Sequence, residues 1–175
     1  AFAYLPVQDF GHAFSTFVSQ NYGAKQTGRI QKGVRTAFWI SASFGGILSL
    51  LVCALAGPLM GLFVHGSEGA VIGEGVRYLR IEGAFYCLIG ALFLLYGLYR
   101  GLGKPGMSVV LTVVSLGVRV ALAYALSAVP GIGVAGIWWA VPIGWFLADA
   151  LGLGYYVARR KTWMTSMARE MDPPA

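Results

Sequence analysis

The sequence predicts an all-α, polytopic transmembrane helix bundle with five spans, and three observations support this fold class. The 175 residues are 57% apolar and only 11% charged, whereas soluble domains are roughly 45–50% apolar and about 25% charged. The apolar residues form runs of about 20 residues, the length that a helix needs to cross a bilayer. These runs lack the alternation of membrane-barrel strands. The composition excludes a disordered chain, a nucleic-acid-binding domain and a disulfide-rich secreted scaffold.

Five apolar spans follow one another along the chain, and turn residues such as Gly23 separate them. A polar segment follows the fifth span and is expected to fray. The sequence therefore predicts a transmembrane region over residues 1–160 and a cytoplasmic tail over residues 161–175. In chain order, the predicted spans cover residues 1–22, 37–64, 78–99, 107–129 and 134–157.

Glycine-rich stretches mark two of the connections. Residues 101–106 and 131–136 both match the pattern G-x-G-x-x-G. In a dinucleotide-binding domain this pattern follows a β-strand and opens a helix, but here both copies lie between predicted spans. We interpret them as tight turns. Pairs of small residues four apart, Gly57 with Gly61 and Gly97 with Gly101, favour close helix packing within the bilayer.

The distribution of basic residues predicts the orientation. Ten of the thirteen lie after the first, third and fifth spans, and basic loops are typical of the cytoplasmic side. We therefore expect a multi-pass protein of the inner (plasma) membrane with a cytoplasmic C-terminus. Five crossings that end inside must begin outside, so we also expect at least one further span upstream of Ala1. The ten residues are Lys25, Arg29, Lys32, Arg35, Arg100, Lys104, Arg159, Arg160, Lys161 and Arg169.

Two acidic residues within the spans are candidates for cation coupling. A charge at bilayer depth costs about 2.5–3.5 kcal/mol on insertion scales, so such residues usually face a cavity, a partner or an ion path. Asp9 shares a helix face with His12, and this pair could relay protons or hold a cation. Glu82 could couple a cation, or it could pair with Arg77 and Arg80 at the outer rim of the third span.

Two further charges within the spans are expected to be structural. Arg119 lies deep in the fourth span, where it would partner a carboxylate or helix-end carbonyl groups. Asp149 lies about two turns from the cytoplasmic end of the fifth predicted span, so we expect it to reach a wet interface. We recognise no nucleophile–base pair or metal-ligand cluster in the sequence, and we expect neither enzymatic activity nor a metal site.

The end of the first span carries a polar motif. Gln20 and Asn21 can hydrogen-bond across helices, and Gly23 can serve as a helix C-cap. Together with later stretches, this segment resembles the C-terminal half of the multidrug and toxic compound extrusion (MATE) family. The resembling stretches are residues 14–24 and 29–35 (end of the eighth helix and its loop), 78–81 and 100–105 (tenth helix), 115–119 (eleventh) and 136–145 (twelfth).

The resemblance covers roughly residues 1–160 and implies helices eight to twelve of a twelve-helix transporter with two lobes. It implies a secondary antiporter that exports drugs, amphipathic organic cations or metabolites in exchange for Na⁺ or H⁺ by alternating access. The implied partners are the lipid bilayer, a small-molecule substrate and the N-terminal lobe of the same parent chain, without nucleic acid. No cofactor other than the coupling ion is implied. Gln20, Asn21, Gly23 and Arg119 would be structural or gating positions.

The sequence departs from the family pattern at two acidic positions. Some members carry an acid deeper in the tenth helix than Glu82, and many carry an acid about a turn before the residue matching Arg119, where residues 115–117 hold none. The principal ion site is therefore expected in the first lobe or the seventh helix. Two alternatives stay open: a lipid-linked oligosaccharide flippase of the same superfamily, and a membrane scaffold subunit that transports nothing.

Overall fold

The computed structural model describes residues 5–63 and 69–169, and the described chain is an all-α bundle as the sequence predicts. Each predicted span corresponds to one helix or to a bent pair of helices, although several helix ends differ from the predicted ones. The helices are α1 (Leu5–Gly23), α2 (Thr27–Phe63), α3 (Gly69–Gly83), α4 (Tyr86–Gly101), α5 (Pro105–Ser127) and α6 (Val134–Arg169).

The number of membrane spans is close to the predicted five. Three described helices are long and apolar enough to cross a membrane: α2, α5 and the segment Val134–Trp163 of α6. The bent pair α3 and α4 provides a fourth if it is counted as one span. The short helix α1, which carries several polar residues, does not meet these criteria. The prediction of five spans is therefore approximate.

The third predicted span is broken rather than continuous. Helices α3 and α4 meet at an angle of 48°. At the break, the amide of Phe85 donates to the carbonyl of Glu82, three residues back instead of four. Gly83 lies directly against α2, where an added Cβ would stand 2.7 Å from Val52 Cγ1. The predicted span over residues 78–99 is thus present as a bent pair of helices instead of one continuous helix.

Helix α4 forms the centre of the bundle and contacts α1, α2, α5 and α6. Leu94, Leu95 and Leu98 have no exposed surface, since neighbouring helices cover α4 on several sides. The Tyr99 hydroxyl group donates a hydrogen bond of 2.6 Å to the carbonyl of Gly152, which joins α4 to α6. Helix α4 therefore fixes the positions from which the other helices present their side chains.

Glycines allow α1 and α4 to approach at backbone distance. A Cβ added to Gly97 would overlap the Gly11 carbonyl oxygen, and one added to Gly101 would lie 2.8 Å from the Ser15 carbonyl oxygen. The pair Gly97 and Gly101 thus packs closely, as predicted. Gly57 and Gly61 have no neighbour within 4 Å among the described residues, so the second pair makes no such contact there.

Both G-x-G-x-x-G stretches form connections between helices, as interpreted from the sequence. Gly103 has a φ of 69°, and Gly131 and Gly133 have φ values of 89° and 53°. Residues with a Cβ rarely adopt this left-handed conformation, so glycine suits the tight α4–α5 and α5–α6 turns.

The basic segments lie largely on helices rather than in loops. Arg29, Lys32 and Arg35 belong to the first turns of α2, which begins at Thr27. At the other end of the chain, α6 continues through Arg169, beyond the predicted start of a polar, frayed tail at residue 161. These helix ends therefore carry positive charge past the apolar segments.

Candidate transport surface and buried charges

One face of α1 is polar and exposed, whereas the opposite face is buried against the bundle. About 3.6 residues per helical turn place residues three or four apart on the same face, and both sets follow this spacing. The exposed set contains Asp9, His12, Thr16, Ser19 and Gln20, and the buried set contains Val7, Gly11, Phe14, Val18 and Asn21. The hydroxyl groups of Thr16 and Ser19 donate to backbone carbonyls of α1, whereas the exposed acid Asp9 and amide Gln20 make this face a poor match for lipid chains.

The exposed faces of α2 and α5 are apolar. On α2, Leu50 is 73% exposed and Trp39 is 68% exposed. On α5, Val120 is 55% exposed and Tyr124 is 78% exposed. The buried stripe of α2 consists mostly of small residues, which leaves the large side chains on the outside. These two faces suit contact with lipid chains, unlike the exposed face of α1.

A cleft of about 340 Å³ lies between α1, α4 and α5. Within it, Arg100 Nη2 lies 3.2 Å from His12 Nδ1. Arginine can only donate, so His12 accepts through Nδ1. The sequence paired His12 with Asp9, but the described partner of its ring is Arg100 on α4. Polar lining residues are Gln8, His12, Tyr96, Arg100, Ser108 and Thr112.

The two predicted cation-coupling acids occupy different environments. Asp9 is exposed on the polar face of α1. Glu82 is half-buried near the end of α3, where its carboxylate hydrogen-bonds with Tyr78. Arg77 and Arg80, which the sequence suggested as partners of Glu82, line a separate cleft of about 460 Å³ together with Trp139. The described side-chain partner of Glu82 is therefore Tyr78, and the alternative of pairing with Arg77 and Arg80 stays a prediction.

The polar motif that ends α1 divides into an inward and an outward part. Asn21 is buried, and its Nδ2 donates a hydrogen bond of 2.7 Å to the carbonyl of Phe17. Its own carbonyl accepts from the amide of Gln26 at 2.8 Å. Gln20 is exposed on the polar face. Asn21 therefore holds the turn after α1, while Gln20 is available to the cleft side.

The helix cap after α1 differs from the expected one. Gly23 is the last residue of α1, but the left-handed residue of the turn is Lys25, with a φ of 56°. The amide of Lys25 donates to the carbonyl of Tyr22 at 3.0 Å. The C-cap interpretation of Gly23 is therefore correct about the position of the helix end and wrong about which residue turns the backbone.

Arg119 stacks on an aromatic ring. Its guanidinium carbon lies 5.9 Å from the centroid of the Trp145 ring, a distance typical of a cation–π contact. Its Nε atom is buried and has no hydrogen-bond partner among the described residues. The described contact of the guanidinium group is thus an indole ring from α6, and the predicted carboxylate or carbonyl partner stays a prediction.

The environment of Asp149 differs from the one predicted from the sequence. It is 4% exposed, and neither carboxylate oxygen has a hydrogen-bond partner within the described part of the chain. It lies midway along the segment Val134–Trp163 of α6. The expected wet interface is wrong because α4 and α5 cover this side of α6, where Gly152, one turn further along, packs against Leu95 and Leu111. This cover comes from other helices, so no local sequence signal predicted it.

The described residues contain no group of three or more His, Cys, Asp or Glu side chains that could hold a metal ion. Any small cation bound in these ranges would therefore rely on isolated carboxylates, hydroxyl groups or carbonyls.

Comparisons with known proteins agree with this architecture. The probable multidrug resistance protein YoeA of Bacillus subtilis (strain 168) is 26% identical over 157 residues, which are 89% of this chain and 34% of that protein. A multidrug resistance MATE family transporter in its inward-facing conformation has a TM-score of 0.86 at 20% identity, over 94% of this chain and 38% of that one.

The outward-facing conformation of such a transporter has a TM-score of 0.84 at 19% identity, over 94% of this chain and 36% of that one. The chain thus spans about a third of the length of these relatives. The MatE family profile matches residues 1–125. This match extends over well more than half of the sequence, and the chain therefore belongs to the MATE family.

Proposed function

We propose that this chain forms part of the C-terminal lobe of a secondary antiporter. The complete transporter would export drugs, amphipathic organic cations or metabolites in exchange for Na⁺ or H⁺. The observation that carries the proposal is the polar exposed face of α1, which stands beside the apolar exposed faces of α2 and α5. A bundle that only anchored a protein in the bilayer would gain nothing from such a face.

The polar face of α1 suits the wall of a water-filled path. Asp9, Thr16 and Gln20 would lose hydrogen bonds to water if lipid covered them. The N-terminal lobe of the same parent chain is the proposed partner opposite this face, with the substrate between the two. Asp9 then lies where a cation in the path could reach it, and Gln20 lies near the end of the path.

Alternating access is supported by the similarity to two conformations of one fold. The TM-scores to the inward-facing and outward-facing structures are 0.86 and 0.84. The described helices would therefore move as one body against the other lobe, as in rocking transporters.

The basic ends of α2 and α6 support an orientation with the C-terminus in the cytoplasm of an inner (plasma) membrane. In this orientation the transmembrane region extends over residues 1–160, and residues 161–175 form the cytoplasmic tail.

The proposal is tested with the full-length protein in proteoliposomes that contain a fluorescent organic cation. An imposed Na⁺ or H⁺ gradient should drive its movement, and Asp9→Asn or Glu82→Gln should reduce gradient-driven transport. Glu74→Gln is the matched control, because Glu74 is an exposed acid on α3. Unchanged gradient-driven transport in both test variants would remove these two acids as coupling sites.

The same protein separates the two other functional classes. A flippase would restore envelope synthesis in a strain that lacks one, without exporting the organic cation. A scaffold subunit would do neither, and wild-type protein that moves no substrate in either assay would overturn the antiporter proposal.

A further inference from the structure

Asp149 combines burial with the lack of any described hydrogen-bond partner. It is 4% exposed, and both of its carboxylate oxygens are buried and unpaired among the described residues. An ionised carboxylate in such a place is costly, since neither water nor a donor replaces its hydration. A protein that keeps an acid there needs a use for it or a partner that neutralises it.

The residues that face this site come from α4 and α5. From α6 itself, the neighbouring Gly152 packs between Leu95 of α4 and Leu111 of α5. Tyr96 of α4 lies within electrostatic range of both Asp149 and Arg119. Arg119 of α5 is held on the Trp145 ring. The phenol of Tyr96 thus lies near Asp149, and the side chains that pack one turn further along α6 are leucines.

Helix α3 also packs on α6, and its charged groups lie farther away. Its contact with α6 includes the Tyr78 ring against Trp138, at 5.9 Å between centroids, and Glu82 hydrogen-bonds with Tyr78. At about 1.5 Å of rise per residue, Trp138 and Asp149 stand several turns apart along α6. The carboxylate of Glu82 therefore lies at a different height along the bundle from that of Asp149.

Tyr96 connects Asp149 to the cleft between α1, α4 and α5. Its side chain lines the 340 Å³ cleft together with that of Thr112, and its hydroxyl group interacts with Thr112. The cleft contains the exposed polar side chain of His12, so water can enter it. Tyr96 thus both lines the cleft and lies within electrostatic range of Asp149, so it is the described group past which a proton in the cleft water would approach the carboxylate.

We propose that Asp149 is a proton-binding site of this lobe, loaded from the cleft past Tyr96. A proton from water binds to one carboxylate oxygen and leaves a neutral carboxyl group, and release returns that proton to the cleft. A proton needs one oxygen, whereas Na⁺ needs several, and Asp149 belongs to no group of three or more His, Cys, Asp or Glu side chains among the described residues. The inference rests on the proposed antiporter and identifies H⁺ as its coupling ion.

The first test does not depend on transport. Infrared difference spectra of the full-length protein between acidic and alkaline buffer should contain a carbonyl band of a protonated carboxyl group shielded from water. The band should vanish in Asp149→Asn, shift in Asp149→Glu and persist in Glu74→Gln. Asparagine reproduces the size and neutrality of the protonated acid, so the variant should fold. If Asp149→Asn fails to fold, Asp149→Glu alone decides by the position of the band.

The second test uses proteoliposomes with an imposed pH gradient. Asp149→Asn should lose proton-driven transport to the level of protein-free vesicles, while exchange of labelled for unlabelled substrate persists. Tyr96→Phe should slow the appearance of the infrared band after a pH jump. An unchanged band and unchanged proton-driven transport in Asp149→Asn would overturn the inference. Wild-type protein that transports nothing but retains the Asp149 band would instead contradict only the antiporter.

Discussion

Helices α1 and α2 both pack against α4, yet their exposed faces differ in chemistry. The exposed face of α1 carries an acid, a histidine, hydroxyl groups and an amide, whereas that of α2 carries leucine, isoleucine, phenylalanine and tryptophan. Burial against protein cannot explain this difference, because both faces are uncovered in this chain. The difference indicates that the bundle contacts two environments, which are lipid at α2 and water or a polar partner at α1.

The comparison also shows how little the packed faces reveal about the surroundings. The buried stripe of α1 includes Gly11 and Val18, and that of α2 includes Gly45 and Val52. Each stripe contains a glycine that lies directly against α4, Gly11 beside Phe93 and Gly45 beside Cys87. The packed face fixes the position of each helix, and the exposed face indicates whether lipid or a polar environment surrounds it.

The strongest test of this comparison measures access to water. In full-length protein with Cys53→Ser and Cys87→Ser, we expect Thr16→Cys to react with a charged, membrane-impermeant thiol reagent in vesicles. Leu50→Cys should remain unlabelled, because the reactive thiolate forms in water and not in lipid. Both thiols should react after denaturation in detergent, which controls for reagent quality. Equal labelling of the two positions in intact vesicles would refute the assignment of two environments.

The next test places the same charge on both faces. Leu50→Asp should destabilise the inserted protein by about 2.5–3.5 kcal/mol, the cost of an acid in the bilayer core. Thr16→Asp should cost far less, because Asp9 already lies on that face. The measurement is the yield of inserted, monodisperse protein and its melting temperature in detergent, with Leu50→Ala as the control for lost bulk. Similar losses in the two acidic variants would mean that lipid covers both faces.

The sequence contains enough information for the secondary structure and for the connections of this bundle. Long apolar runs predict helices because backbone groups in lipid must be paired internally. Glycines between the apolar runs predict the turns, and Gly103 and Gly131 indeed adopt left-handed conformations. These features depend on residues that are near one another in the chain, so a local pattern is sufficient.

The features that the sequence could not predict depend on distant residues. The break after Gly83 lies where this glycine packs against Val52 in another helix. His12 contacts Arg100, which is 88 positions away. The burial of Asp149 depends on how α4 and α5 cover α6, and hydropathy along one segment does not contain that information. The coarse fold was therefore accessible, but the partners of the intramembrane charges were not.

The orientation of α1 depends on its close crossing with α4, and a bulky side chain there should disturb it. We expect Gly97→Leu to cost about 1–3 kcal/mol, as overpacking in a dense interior does, because its Cβ would overlap the Gly11 carbonyl oxygen. Gly117→Leu is the matched control, since nothing lies within 4 Å of Gly117 in the described structure. Thermal unfolding in detergent measures both. A harmless Gly97→Leu would show that the crossing does not set the direction of the polar face.

The smallest expected effect separates the neighbours Gln20 and Asn21, which lie on opposite sides of the boundary between packed and exposed faces. Asn21→Ala removes the buried hydrogen bond to the Phe17 carbonyl, and we expect a loss of about 1 kcal/mol of stability. Gln20→Ala should leave the melting temperature unchanged, because Gln20 is exposed, yet it should alter transport by the full-length protein if this face lines the path. Thermal unfolding and substrate efflux are therefore measured on both variants. Reversed results, with stability lost in Gln20→Ala and transport altered only in Asn21→Ala, would place the boundary on the other side of α1 and remove the basis for a water-filled path along it.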